Sequence, residues 1–158
     1  MSKRISHIEQ ELSWASSPAV RKSMLGNKSR DTKPELVVRR HLHAAGLRYR
    51  VHARPIKTWN RRADIVFSRA KTAIFINGCY WHGYPKHYVE PKTNTDYWSH
   101  KIERNKERDA ETFRRLRNEK WLVIPVWEHE NLVARAEKIA IRVRKRINHL
   151  DQNGSSKF

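Results

Sequence analysis

The chain has one cysteine, Cys79, in 158 residues. That excludes an intrachain disulfide and the small disulfide-stapled scaffolds of secreted proteins, and it fits a reducing cytoplasm. No run of about 18 apolar residues occurs, so no membrane-spanning helix and no membrane partner are expected. The opening Met1-Ser2-Lys3-Arg4-Ile5 lacks the apolar stretch of a signal peptide. Internal repeats and interdomain linkers are also missing, which leaves one domain of ordinary size. Acidic residues are scarce: 16 Asp and Glu face 34 Lys and Arg, for a formal net charge of +18. The basic residues run along the whole chain, so this is not a basic tail on a neutral domain. An excess of this size points to a polyanionic partner. Charge alone also fits a ribosomal or RNA-packaging protein. Hydrophobic residues make up 38% despite a mean hydropathy of −0.88, enough for a modest core and too many for a disordered polymer.

What is present reads as alternating helices and strands. Residues 1–30 form a basic arm, partly helical, with a short helix near Ala19 to Leu25. Thr32-Lys33-Pro34-Glu35 is a capping box with proline in the first turn, and it opens a helix of about 12 residues that Gly46 closes. Leu47 to Ala53 alternates as a strand. Ala63 to Phe67 and Thr72 to Asn77 form an antiparallel hairpin around the polar turn Ser68-Arg69-Ala70-Lys71. Residues 83–93 read as a loop. A long helix runs from about Thr95 to Glu119, with Trp98, Ile102, Phe113 and Leu116 inward. Trp121 to Trp127 is a further strand. A basic amphipathic helix from Asn131 to about Asn148 puts Leu132, Ile139 and Val143 inward, and residues 151–158 are expected to be a disordered tail. The order helix, three strands, helix, strand, helix predicts an α/β layer structure, with residues 31–150 as the domain around a small mixed sheet.

Asp64 is the odd residue of the hairpin. A carboxylate there is either an edge-strand charge partnering one of the many arginines, or a metal ligand whose burial a cation offsets. Fourteen residues on comes Gly78-Cys79-Tyr80-Trp81-His82. A carboxylate and an imidazole can hold a divalent ion and activate water, and adjacent aromatic rings at a strand end cannot both face one core. Further along lie Tyr97-Trp98, Asn105-Lys106-Glu107-Arg108-Asp109 and Val126-Trp127-Glu128. Upstream lies Ser29-Arg30-Asp31-Thr32-Lys33-Pro34-Glu35-Leu36.

This ordered set, from about Met24 to Asn131, resembles the very-short-patch repair (Vsr) endonucleases, a mismatch-nicking branch of the restriction-endonuclease-like superfamily. The resemblance implies a single-domain restriction-endonuclease-like α/β fold and a monomeric bacterial cytoplasmic enzyme. Its expected reaction is Mg²⁺-dependent nicking of one strand of double-stranded DNA, beside a T:G mismatch left by deamination of 5-methylcytosine. It also implies roles. Asp64 matches the catalytic aspartate that bridges two Mg²⁺ ions, and Ile76 supplies a backbone carbonyl to a metal. His82 matches the histidine that activates the attacking water. Glu35 and Asp109 match acidic residues that orient water or the histidine. Tyr80, Trp81 and Trp98 match the aromatic residues inserted beside the mismatch, and Met24 an apolar residue that approaches the minor groove. A wedge favours mismatched sites because unstacking costs least where pairing is already poor.

Two positions depart from the family pattern. Asn77 stands where the family has a histidine near the leaving group. Asparagine hydrogen-bonds but cannot donate a proton as an acid, which predicts slower cleavage. The family's structural Zn²⁺ would have Cys79, His87 and His129 as three ligands, with Tyr84 at the fourth position. Zinc and a metal-free packed site are both open on this sequence. Two rivals to the nicking function also remain: a restriction or defence endonuclease of the same fold with other specificity, and a non-catalytic DNA-binding protein. Asp64→Ala separates the last from the others, and matched against mismatched duplexes separate the first two. The basic runs Arg114-Arg115-Leu116-Arg117 and Arg142-Val143-Arg144-Lys145-Arg146 read as solvated helix faces, and Trp121 and Trp127 as core.

Overall fold

A computed structural model describes residues 30–79, 83–86, 92 and 94–154. The expected N-terminal arm and its short helix lie outside the described residues.

Helix α1 spans Lys33–Ala44, with Thr32 as its N-cap and proline in the first turn. The predicted capping box forms with a variation. The Thr32 hydroxyl accepts the Glu35 N–H at 3.5 Å and donates to Glu35 Oε1 at 3.1 Å. Glu35 Oε2 accepts the N–H of Asp31, one residue before the cap, at 2.9 Å. At the other end Gly46 has φ +81°, and its N–H donates to His43 O. Such a left-handed conformation is open to glycine at no steric cost, as the expected helix stop requires.

The four strands are β1 (Arg50–Ala53), β2 (Ala63–Phe67), β3 (Thr72–Asn77) and β4 (Leu122–Trp127), in that spatial order. β1–β2 and β2–β3 pair antiparallel; β3–β4 pair in parallel. The sheet is therefore mixed, as expected. A parallel step needs a long crossover, and the segment carrying helix α2 (Thr95–Asn118) supplies it. β1 begins at Arg50 rather than Leu47. The Leu47 N–H is taken by Leu42 O in closing α1, and Leu47 is buried against α1 and the sheet. Tyr49 packs edge-on to Phe67 at 5.8 Å and donates its hydroxyl hydrogen to Arg39 O at 2.7 Å.

Strand alternation sorts the core onto two faces. Ile65, Phe67, Ile74, Ile124 and Val126 meet Val38 and Leu42 of α1 and Ala136, Ile139, Ala140 and Val143 of helix α3 (Leu132–Gly154). Val66, Ala73 and Val123 meet Leu116 of α2, with Phe113 alongside. Helices thus cover both sides of the sheet. Of the positions expected to point inward, Trp98, Ile102, Leu116, Ile139 and Val143 are buried, and Phe113 and Leu132 are partly so. Trp121 packs as a partly buried member of the second face. One boundary needs correction. α3 continues to Gly154, through the first four residues expected to be a disordered tail, and Asp151 pairs with Arg69 at 2.6 Å. No helix among the described residues is long and apolar enough to cross a membrane.

Candidate active site

A cleft of about 780 Å³ opens where the start of β2 meets the ends of β3 and β4. Four elements deliver its side chains. α1 contributes Glu35 from its first turn, β2 contributes Asp64, and β3 contributes Ile76 and Asn77. α2 contributes Asn105, Arg108, Asp109 and Thr112, whose spacing is one helical stripe. The structure therefore brings Glu35, Asp64, Ile76, Asn77 and Asp109 together around one space.

Asp64 owes its position to the way the sheet ends. The β2–β3 pairing runs from Phe67↔Thr72 to Ile65↔Ile74. One residue further, β3 goes on pairing with β4 as far as Asn77↔Trp127. At that boundary the Ile76 N–H donates to Asp64 Oδ2 at 2.6 Å. The side chain supplies the acceptor where the strand pairing stops, and the bond orients the carboxylate.

Glu35 is 4% exposed and heavily used. Besides its cap bonds, it receives Arg39 Nη2 at 3.2 Å, and the same nitrogen reaches Asp31 at 2.7 Å. The cleft's carboxylates face basic groups: Arg61 and Arg62, from the loop before β2, and Arg108 line it with them. Acid for a cation and base for phosphate thus lie side by side.

Glu128 was not assigned a role from sequence, yet it lines the cleft. Its Oε1 accepts the Cys79 N–H at 2.8 Å, and its own N–H donates to Asn77 O at 3.0 Å. These bonds clamp residues 77–79 just ahead of the aromatic run. The run Val126-Trp127-Glu128 was visible; its role was not, because it depends on the β3–β4 register.

Tyr80, Trp81, His82, His87 and Met24 lie outside the described residues. Trp98, expected beside the mismatch, is only 4% exposed, and Lys101 Nζ stands 5.2 Å from its ring. A buried ring cannot wedge between bases as it stands. Its neighbour Tyr97 is the exposed ring at this helix start, at 43%.

The site can be compared with the metals the resemblance implies. Asp64 and a backbone carbonyl at residue 76 are hard oxygen donors beside a cleft with space for substrate, and Mg²⁺ is commonly held by one or two carboxylates together with phosphate and water. These residues fit that ion. Among the described residues no group of three His, Cys, Asp or Glu side chains could hold a metal. Of the implied zinc ligands, Cys79 Sγ and His129 Nδ1 do meet, at 2.9 Å. Two ligands of a tetrahedral zinc stand about 3.5 Å apart given the usual bond lengths, so this pair is hydrogen-bonded rather than spread around an ion. The Tyr84 ring packs tilted against His129, with centroids 4.4 Å apart, and against Trp127 at 4.9 Å. Burial first, and then the Glu128 carboxylate, push the Cys79 thiol up from its ordinary range.

Comparisons with known proteins agree with this geometry. The family model described as DNA mismatch endonuclease Vsr matches residues 16–88. Type II nicking enzyme V.NaeI of Lentzea aerocolonigenes is 43% identical over 113 residues, covering 70% of this chain and 68% of that protein. Type II nicking enzyme V.NmeDIP of Neisseria meningitidis serogroup C is 38% identical over 143 residues, covering 87% and 90%. DNA mismatch endonuclease Vsr of Escherichia coli (strain K12) is 34% identical over 108 residues, covering 68% and 67%. The α/β sheet with a carboxylate cleft among arginines is thus that of a DNA endonuclease, a hydrolase that nicks DNA. The chain belongs to the Vsr family.

Proposed function

We propose that this enzyme nicks one strand of double-stranded DNA beside a T:G mismatch in the bacterial cytoplasm, as a monomer that depends on Mg²⁺. The observation that carries the reading is the Asp64 carboxylate, fixed by the Ile76 N–H at 2.6 Å on the wall of a cleft that basic side chains share. Asp64 and the carbonyl of Ile76 would hold Mg²⁺, which when bound supplies Lewis-acid stabilisation of the phosphoryl oxygens. The chain's own residues do the rest. Arg61, Arg62 and Arg108 offset phosphate charge along the cleft. His82 takes a proton from the attacking water, a role the resemblance supports and a neutral imidazole suits. Asp109 orients that water or the histidine, and Tyr80 and Trp81 wedge the mismatch open.

The relatives' names favour a second reading alongside the first. Several are type II nicking enzymes, whereas one is a mismatch endonuclease. End-labelled duplexes separate the two readings: one with a central T:G mismatch, one with matched T:A, each incubated with Mg²⁺. Cutting of the mismatched duplex alone is expected. Equal cutting of both would move the enzyme to the restriction or defence class, and no cutting in any sequence context would favour a binding protein.

Asn77 tunes the rate in this reading. It is 5% exposed, its carbonyl is held by the Glu128 N–H, and it lines the cleft. An amide cannot protonate a leaving oxygen. Asn77→His is therefore expected to raise the single-turnover nicking rate, by up to about 100-fold given that a positioned acid is typically worth about 10²–10⁴. An unchanged rate in a folded Asn77→His protein would argue against any role for this position in proton transfer.

A further inference from the structure

A second groove, of about 560 Å³, runs along the outer edge of the sheet at β1. Its charged lining is Arg30, Arg50, Arg54, Lys57 and Arg62, with His52 among them, and among the described residues no carboxylate lines it. Several arginines elsewhere have carboxylate partners among the described residues. Arg39 has Asp31 and Glu35, Arg69 has Asp151, and Arg135 has Glu130 at 2.8 Å. Here, among the described residues, the counter-charge is one weak pair. The Arg30–Asp31 pair is long, at 3.6 Å, with both side chains about half exposed, and such a pair contributes little. Arg54 is half-buried, and its Nε is buried with no hydrogen-bond partner among the described residues. Clustered cations repel one another, so a cluster left without acids is stabilised by an anion from outside.

The groove's geometry points to the same ligand. Arg62 lines both this groove and the active-site cleft, so the two spaces adjoin at that residue. Its Nη1 donates to His52 O at 2.9 Å. His52 itself has φ +48°, and the β1–β2 register, Val51↔Ile65 and Ala53↔Ala63, sets it across from Asp64. A non-glycine residue held in that conformation is strained. The strain lies between the cleft's aspartate and the cationic edge.

We propose that this edge groove is a second DNA contact, which holds phosphodiesters of the substrate duplex to one side of the nick. The proposal rests on the reading that the cleft cuts DNA, and it names where the backbone leaves that cleft: over Arg62, onto Arg54 and Lys57. The contact is to phosphate, so it adds affinity and register without reading sequence.

The test measures duplex binding by fluorescence anisotropy against salt, without Mg²⁺, for the wild type and for Arg54→Gln/Lys57→Gln. Single-turnover nicking at saturating DNA is measured with Mg²⁺ for the same proteins. Two lost phosphate contacts should flatten the slope of log affinity against log salt by about 1.8, weaken binding on matched and mismatched duplexes alike, and leave the saturated nicking rate within about twofold. Lys138→Gln/Arg142→Gln, exposed on α3, removes the same charge elsewhere and should leave the slope in place. Lys57→Gln alone, at an exposed position, should flatten it by about 0.9, which keeps the test decisive if the double variant folds poorly. An unchanged slope, or an equal change in the α3 control, overturns the proposal. A wild type that binds duplex without nicking it overturns the cleavage reading, and the salt slope still decides the groove.

Discussion

Replacing Asp64 with alanine is expected to lower the single-turnover nicking rate about a thousandfold or more, while affinity for duplex DNA in the absence of Mg²⁺ stays within about threefold. The magnitude follows from what the carboxylate is for. Removing one preorganised group that stabilises transition-state charge costs about 10²–10³ in rate, and here the lost group would anchor the cation that does so. Alanine also leaves the Ile76 N–H without the acceptor it has at 2.6 Å, a loss of about 1 kcal/mol of stability. Asp64→Asn separates the two effects, because its amide oxygen still accepts that hydrogen bond but carries no charge. It should melt within a degree or two of the wild type and be as inactive as alanine. A folded Asp64→Asn protein that nicks at a tenth of the wild-type rate or faster would sink the assignment of Asp64 as the central catalytic residue.

Glu35→Ala should destabilise the fold by about 2–3 kcal/mol, read from urea unfolding. The carboxylate closes the start of α1 through Asp31 and Thr32, and a lost cap costs about 1 kcal/mol. It also faces Arg39, whose side chain is 12% exposed, and removing one partner of a largely buried pair leaves charge poorly compensated. Asp31 remains bound to Arg39 at 2.7 Å, which keeps the loss below that of a wholly stripped pair. Glu35→Gln retains an acceptor oxygen for the cap and should recover more than half of the stability. Its nicking rate then decides the second role. A rate about tenfold or more below wild type in a stable Glu35→Gln protein would mean that the charge serves the reaction. A wild-type rate would confine Glu35 to holding α1 in place.

Local chemistry made much of this protein readable in one dimension. Thr32, Pro34 and Glu35 announce the start of α1, and Gly46 its end, because caps and left-handed stops draw on residues a few positions apart. The Ala63–Phe67 and Thr72–Asn77 hairpin shows in its β-branched runs and its four-residue polar turn. The α2 stripe of Asn105, Arg108, Asp109 and Thr112 is implicit in helical spacing. Boundaries were less legible. The Leu47 N–H could be assigned to α1 only once Leu42 O was seen to take it, and the pairing of Asp151 with Arg69 spans 82 residues.

The sequence by itself determined that this is a basic, single-cysteine chain with an alternating helix and strand pattern, since composition and spacing are properties of the chain alone, and its resemblance to the Vsr family marked Asp64, Glu35 and Asp109 as site candidates. Tertiary structure decided which groups share a space. The parallel β3–β4 register set Glu128 against Asn77 and Cys79, and the end of β2–β3 pairing turned Asp64 to Ile76. Helix packing buried Trp98 while leaving Tyr97 exposed. The position of β1 at the sheet edge gathered cations from residues 30, 50, 54, 57 and 62 into one groove. These are long-range contacts, fixed by where strands and helices come together, and no local pattern encodes them.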